Sequence, residues 1–327
     1  MVPLVSVVTP VHNTAAYLAE CIESVLAQTY QNYEYVVLDN CSTDGCLEIA
    51  RKYAALDSRI RVESTTRLLG QVANYNAALE LIDGKSQYCK IVQADDWLYP
   101  ECLAEMTAAA EKDRNIALVS AYQMAGEGVR SQGLPVQRGD TLATILPGSE
   151  ACRRYLLQNK YFFGSPTSVL YRSDVVRERR PFYPDSRYHE DSEICFEILK
   201  TRKFAFVHKI LTCTRVDNVS LSTVVQDYSP DVLHAFIVLH KFGPYYLSKD
   251  EYARRVREIT YEIYSVLSYR LLERGNRGLW EYHRRGFEMA GQKLSFTRLW
   301  WTQSLRLLWL LGNPLLAVRK ILGRISR

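Results

Sequence analysis

Over its first 120 residues the chain alternates short apolar, β-branched runs with helical stripes, and few architectures accept that alternation. Leu4 to Thr9 is an apolar run closed by Pro10, the composition of a strand buried on both faces. Ala15 to Gln28 then sets Leu18, Cys21, Ile22, Val25 and Leu26 on one helical face. The pattern recurs, predicting strands over 33–38, 60–63, 88–92 and 116–120 and helices over 45–56, 71–82 and 101–112. Such a chain is expected to be α/β, with a mainly parallel sheet flanked by helices on both faces. Residues 126–147, rich in glycine, proline and charge, read as a loop-rich insertion. Beyond Thr223 the pattern turns helical, with long helices expected over 233–242 and 252–274.

In such sheets ligands gather beyond the carboxyl ends of the strands, where loops vary while the sheet holds them. Three polar segments fall there: 9–13, 39–44 and 93–97. In the last, Asp95 and Asp96 stand side by side. Two adjacent carboxylates at a strand end suit a divalent cation such as Mg²⁺ or Mn²⁺, and they also suit the N-terminus of the helix that follows Pro100. In the second, Asp39 directly follows its strand, whereas Asp44 has the position of a helix cap.

The 327 residues carry a net charge of +5, unevenly spread. Residues 1–222 hold 24 basic and 27 acidic side chains, net −3, while residues 223–327 hold 17 and 9, net +8. This predicts a slightly acidic body over 1–222, the half that holds the three polar strand ends, and a basic helical extension over 223–327. The eight cysteines are scattered without a CxxC pair or zinc-ligand spacing, as expected of free thiols in a reducing cytosol. The start, MVPLVSVVTPVHN, has no basic leader and reads as a strand. No stretch reaches the ~18 uninterrupted apolar residues of a spanning helix. The segment 299–327 has no acid, three tryptophans (Trp300, Trp301, Trp309), many leucines and, with Arg298 just before it, six basic residues. It is expected to lie on a membrane surface, and its leucine and tryptophan load is unlike an arm that tracks nucleic acid.

The motifs VSVVTPVHNTAAYLAECIESVLAQTY, VVLDNCSTDG and QADDWLYP, in that order, resemble the family-2 glycosyltransferases with a GT-A fold. The resemblance implies an inverting transfer from a nucleotide-diphosphate sugar, UDP-linked, to a hydroxyl of a saccharide or lipid-linked acceptor. The setting it implies is bacterial surface polysaccharide or glycolipid assembly at the cytosolic membrane face. Thr9 and Pro10 would flank the base, Asp39 would accept a hydrogen bond from it, and Asp95 would hold the cation, with Asp96 a neighbour for metal or sugar. Gln93 stands where the family often has an acid; it brings no charge but hydrogen-bonds a ribose hydroxyl.

Further on, NKYFFGSPTSVLYRSDVV and YHEDSEICFEIL resemble the family's acceptor half, which makes Asp191 the general base. In TRVDNVSLS the family commonly has Arg-x-His; here Asp217 occupies the histidine position as a further metal candidate, and Arg215 would meet phosphate. Two other readings share the nucleotide site: a catalytically idle nucleotide-sugar-binding subunit, and a sugar-phosphate nucleotidyltransferase. The second lacks a glycine-rich, lysine-bearing phosphate loop near the first strand.

Overall fold

The structure is a computed structural model that describes residues 2–126, 128, 129, 134, 142–158, 162–184, 190–216, 228–271 and 277–311. The chain forms two compact units, Met1–Asn218 and Val219–Arg327. Asp217, most of the expected loop between 126 and 147, and the end of the basic tail from residue 312 lie outside the described residues.

The first unit begins β1 (Val5–Val11), α1 (Ala15–Leu26), β2 (Tyr33–Asp39), α2 (Cys46–Ala54), β3 (Ile60–Ser64), α3 (Gln71–Leu79) and β4 (Tyr88–Ile91). It continues with β5 (Trp97–Leu98), α4 (Cys102–Ala110), β6 (Ile116–Ala125), β7 (Gly128–Val129), β8 (Ala143–Pro147) and α5 (Gly148–Gln158). A 3-10 turn (Pro166–Ser168) leads into β9 (Val169–Arg172), followed by α6 (Ser173–Arg177), α7 (Glu190–Ile198) and β10 (Lys203–Thr214). These strands make one sheet in the order β3-β2-β1-β4-β9-β6-β10-β5, with β7 on β6 and β8 on β10.

The half built from β3, β2, β1 and β4 is parallel, as the alternation predicts. The other half is mixed: β9 runs antiparallel to both β4 and β6, and β5 and β8 run antiparallel to β10. The α/β class stands, but the sheet is more mixed than expected. Every residue of β1 is buried, because β2 and β4 cover both of its edges and helices its faces. Leu18, Cys21, Ile22 and Val25 of α1 are the face that packs on it.

Proline is unusual in a central strand because it has no N–H for the ladder. The N–H that Pro10 lacks would point toward β4, whose ladder with β1 ends at the pair Val8–Ile91, so nothing is lost there. On the other side β1 stays paired with β2 through Val11–Asp39. The two edges of β1 therefore end at different heights, and β4 turns away into Gln93–Asp96 just where the chain reverses its strand order, the usual place for a crevice.

The second unit is helical: α8 (Pro230–Tyr246), α9 (Lys249–Arg270), α10 (Arg277–Met289) and α11 (Phe296–Leu311). Ser248 and Glu251 start α9 with a reciprocal capping box. Among the described residues no helix is long and apolar enough to cross a membrane.

Candidate active site

The rim is formed by three loops tied to one another. In the first two, Asn13 and Cys41 have left-handed backbones, φ 51° and 54°, a conformation non-glycine residues take at a cost of about 1 kcal/mol or more. Hydrogen bonds hold them there. Thr43 N donates to Asn13 Oδ1 at 2.9 Å, and Asn13 N donates to Ser42 Oγ at 3.2 Å. Asp44 accepts from the first amides of two helices, Ala15 of α1 and Cys46 of α2, which its position as a cap foretold for α2 alone. Gly45, at φ 96°, permits the turn between Asp44 and α2. His12 is bonded to the carbonyl of Asn40 and is a loop residue.

Asp39 and Asn40, one after the other, have opposite states. Asn40 is saturated: Oδ1 accepts from Leu69 N and Thr65 Oγ1, and Nδ2 donates to the Leu69 carbonyl. Asp39 is only 3% exposed, its Oδ2 accepts from Ser42 N at 3.3 Å, and its Oδ1 is buried without a protein donor. A buried acceptor left without a donor costs about 1–3 kcal/mol.

The third loop separates the two acids that the sequence sets side by side. Asp96 is 2% exposed and accepts from Thr167 Oγ1 (2.6 Å), Thr214 Oγ1 (3.2 Å) and Arg215 N (3.2 Å). Its carboxylate ties the rim turn to the 3-10 turn and to the end of β10, and so serves the wall of the site. Burial, and then the charge of Asp95, push its carboxyl up to about 7, against the pull of those three donors. Asp95, less buried, is the acid of the pair at the rim.

Beneath this turn Lys90 of β4 is fully buried and donates to the carbonyls of Thr167 and Val169, so Thr167 joins a buried cation to a buried carboxylate. Gln93 is held at both ends: its N–H donates to Thr167 Oγ1 (3.1 Å) and its amide to Tyr75 Oη of α3 (3.0 Å), which also accepts from Gln71. Gly164, at φ 84° and too close to Ser168 for a Cβ, shapes the loop that presents Thr167.

The Thr9 hydroxyl lies in the core, 3.0 Å from Tyr35 Oη, because β1 runs two residues beyond it, to Val11. Pro10 and Val11 are buried too, and the first exposed residue of the rim is His12.

Asp191 opens α7, its Oδ1 accepting from Ser192 N at 2.7 Å. Burial, and then nearby charge including that of Asp191, raise Tyr183 above the ordinary phenol range. The Tyr183 ring lies 6.1 Å from that of Tyr75, whose hydroxyl is raised by burial and by the charges of Asp95 and Asp96. The pair thus feels the charge of Asp191 at Tyr183 and those of Asp95 and Asp96 at Tyr75. Arg215 reaches back over the same turn, its Nε 3.3 Å from the Asp95 carbonyl. Among the described residues no cluster of three His, Cys, Asp or Glu could hold a metal, so a cation here would draw on Asp95 and on ligands from a substrate.

Thr167, Tyr75 and Lys90 escape a reading of the sequence. Only Lys90 gave a signal, as a lone charge within the otherwise buried strand YCKI.

Sheet order, flanking helices and polar rim define an α/β glycosyltransferase fold. The chain belongs to Glycosyl transferase family 2, whose profile matches residues 6–180. An uncharacterized glycosyltransferase of Haemophilus influenzae is 29% identical over 199 residues, 60% of either chain, so the match spans less than two thirds of that relative. Staphylococcus aureus TarS 1–349, solved with UDP-GlcNAc, superposes with a TM-score of 0.63 at 17% identity over 92% of this chain and 87% of that one. The mannosyltransferase PcManGT of Pyrobaculum calidifontis, solved with GDP-Man and Mn²⁺, gives 0.55 at 16% identity over 95% and 81%. At such identities the likeness is one of fold.

Proposed function

We propose that the first unit is the catalytic domain of an inverting glycosyltransferase. It moves a hexosyl or N-acetylhexosaminyl group from a UDP-linked donor to a hydroxyl of a saccharide or lipid-linked acceptor, in the assembly of a bacterial surface polysaccharide or glycolipid. The observation that carries the donor half is the buried, unpartnered Oδ1 of Asp39 at the end of β2. A uracil N3–H is a donor of the kind it lacks, and TarS, which shares the fold, was solved with UDP-GlcNAc.

A divalent cation fits the rim because Mg²⁺ and Mn²⁺ commonly take one or two protein carboxylates and complete their shell with phosphate oxygens and water. Asp95 would hold it, with Asp96 in support of the turn and Asp217 a further candidate ligand. Once bound, the cation would supply charge neutralisation at the diphosphate. The chain's own residues do the rest. Gln93 and Tyr75 offer hydrogen bonds to ribose or sugar hydroxyls. Asp191 takes the proton of the acceptor hydroxyl as that oxygen bonds to the anomeric carbon and the bond to the diphosphate breaks, a single displacement that inverts the centre. The second unit keeps the enzyme on the inner face of the cell membrane, where a lipid-linked acceptor would be met.

Calorimetric titration of UDP and of inorganic diphosphate, each with and without Mn²⁺, tests the donor half. Asp39→Ala should weaken UDP by about tenfold or more, the worth of a buried hydrogen bond to a charged group, and leave diphosphate unchanged. Asp95→Ala should remove the Mn²⁺-dependent part of the affinity. Equal losses for UDP and diphosphate in Asp39→Ala would reduce Asp39 to a support of the fold.

A further inference from the structure

Arg215 is gripped from several sides at once. Its guanidinium carbon lies 4.6 Å from the ring centroid of Tyr17 and 5.1 Å from that of Trp97, while Nε donates to the Asp95 carbonyl. Of the N–H groups that remain, Nη2 commits one to an ion pair with Glu20 of α1. The two partners are unequally placed: the side chain of Arg215 is 22% exposed and that of Glu20 is 57% exposed. The rings and the carbonyl fix the guanidinium plane beside Asp95, and only Glu20 can swing into solvent without breaking anything else that holds Arg215.

We infer that Glu20 is a stand-in carboxylate for the donor's diphosphate. It occupies the edge of Arg215 that the diphosphate takes, and gives it up when the donor binds. The inference rests on the nucleotide-diphosphate reading of the site. Carboxylate and phosphate both match the planar fork of arginine, so they compete for the same donors. The exchange favours the diphosphate because an exposed ion pair is weak, whereas the diphosphate brings more charge to a guanidinium already held in place. Glu20 thereby keeps Arg215 paired between turnovers and loosens the hold on the nucleotide product.

The test is the affinity of the full chain for UDP and for uridine in the presence of Mn²⁺, compared with Glu20→Gln and with Glu23→Gln. Glu23 is one turn further along α1 and bonded to Tyr53, so its substitution removes the same charge without touching Arg215. Glu20→Gln should bind UDP about two- to five-fold more tightly, the range set by an exposed pair, with uridine unchanged and Glu23→Gln like the parent. Equal or weaker UDP binding by Glu20→Gln, an equal gain for uridine, or the same gain in Glu23→Gln would each overturn the inference. If the parent binds UDP and Glu20→Gln behaves like it, only this inference falls. If the parent binds no UDP at all, the donor reading falls and takes the inference with it.

Discussion

A carboxylate with three donors and a carboxylate oxygen with none end neighbouring loops of one sheet, and that contrast divides the acids of the site by role. Asp96, saturated and buried, supports the turn; Asp39 Oδ1 is buried without a protein donor, which is what the proposed donor site uses. Asp191 is different again, partly exposed at the start of α7 among Glu190 and Glu193. Asp191→Asn keeps the shape and the acceptor oxygen for Ser192 N while removing basicity. It should lower turnover by roughly 10²–10⁴ and leave UDP affinity within twofold, as for loss of a positioned general base. Near-normal transfer by this variant would give the role to another group or favour an idle binding subunit. Position at a strand end drew attention to Asp39, Asp95 and Asp96, and the family resemblance singled out Asp191 and put Asp95 ahead of Asp96 as cation ligand. The bonds that tie Asp96 into the turn were not legible, since they come from Thr167 and Thr214, 71 and 118 residues further along the chain.

At the scale of elements, the parallel half of the sheet was legible almost residue by residue. β1 and β2 are buried almost throughout, so each is a mainly apolar run punctuated by proline or aspartate, whereas the edge strand β3 shows only a short one. The antiparallel strands were not. β9 is only four residues, VLYR, too short for a period to show, and β10 exists as a strand because β6, β5 and β8 pair with it. Yet β10 delivers Thr214 and Arg215 to the site, so part of the candidate site lay beyond any local pattern. The helical unit contains a further long-range feature, His283 of α10. It is fully buried, its Nε2 donates to the Tyr228 carbonyl at 2.7 Å, and its Nδ1 has no partner. Burial pushes its ring down to about 4 against an ordinary 6.5. The unfolded chain therefore takes up a proton first, and stability that is complete above pH 6.5 is lost as pH falls toward 4. The loss is at most about 3 kcal/mol. His283→Gln, which keeps a donor for Tyr228 but cannot be charged, should flatten the fall in thermal midpoint between pH 7 and pH 4.5 measured by circular dichroism. The same fall in both proteins would show that other groups govern acid sensitivity.

At the scale of the whole molecule, charge and apolar surface are concentrated in the same place. The second part of the chain carries the net positive charge, and α11 bears large apolar side chains on its outer face: Trp300, Trp301, Leu305, Leu308 and Trp309 are all exposed, Trp301 by 66%. Its other side is packed. Leu299 and Gln303 are buried, Arg306 lies over the Tyr269 ring of α9, and Ser295 N donates to Tyr264 Oη. The packed side and the exposed apolar side are thus opposite faces of α11, while the tail from residue 312 lies outside the described residues. An exposed stripe of tryptophan and leucine, with arginine and lysine and no acid beyond Glu288, has the composition that partitions into a lipid interface. Basic residues near an anionic surface contribute about 1 kcal/mol each, so sedimentation with anionic liposomes should weaken as salt is raised without vanishing, because the apolar stripe is inserted. Deleting the whole segment from 299 would remove the buried Leu299 and confuse docking with folding. Replacing Trp300, Trp301, Leu305 and Leu308 together by serine changes only exposed side chains. That variant should stay in the supernatant, keep the parent's thermal midpoint to within a few degrees, and bind UDP as the parent does. Parent protein that ignores anionic liposomes, or a variant that sediments with them equally well, would return α11 to a purely structural role and leave its outer face without lipid contact.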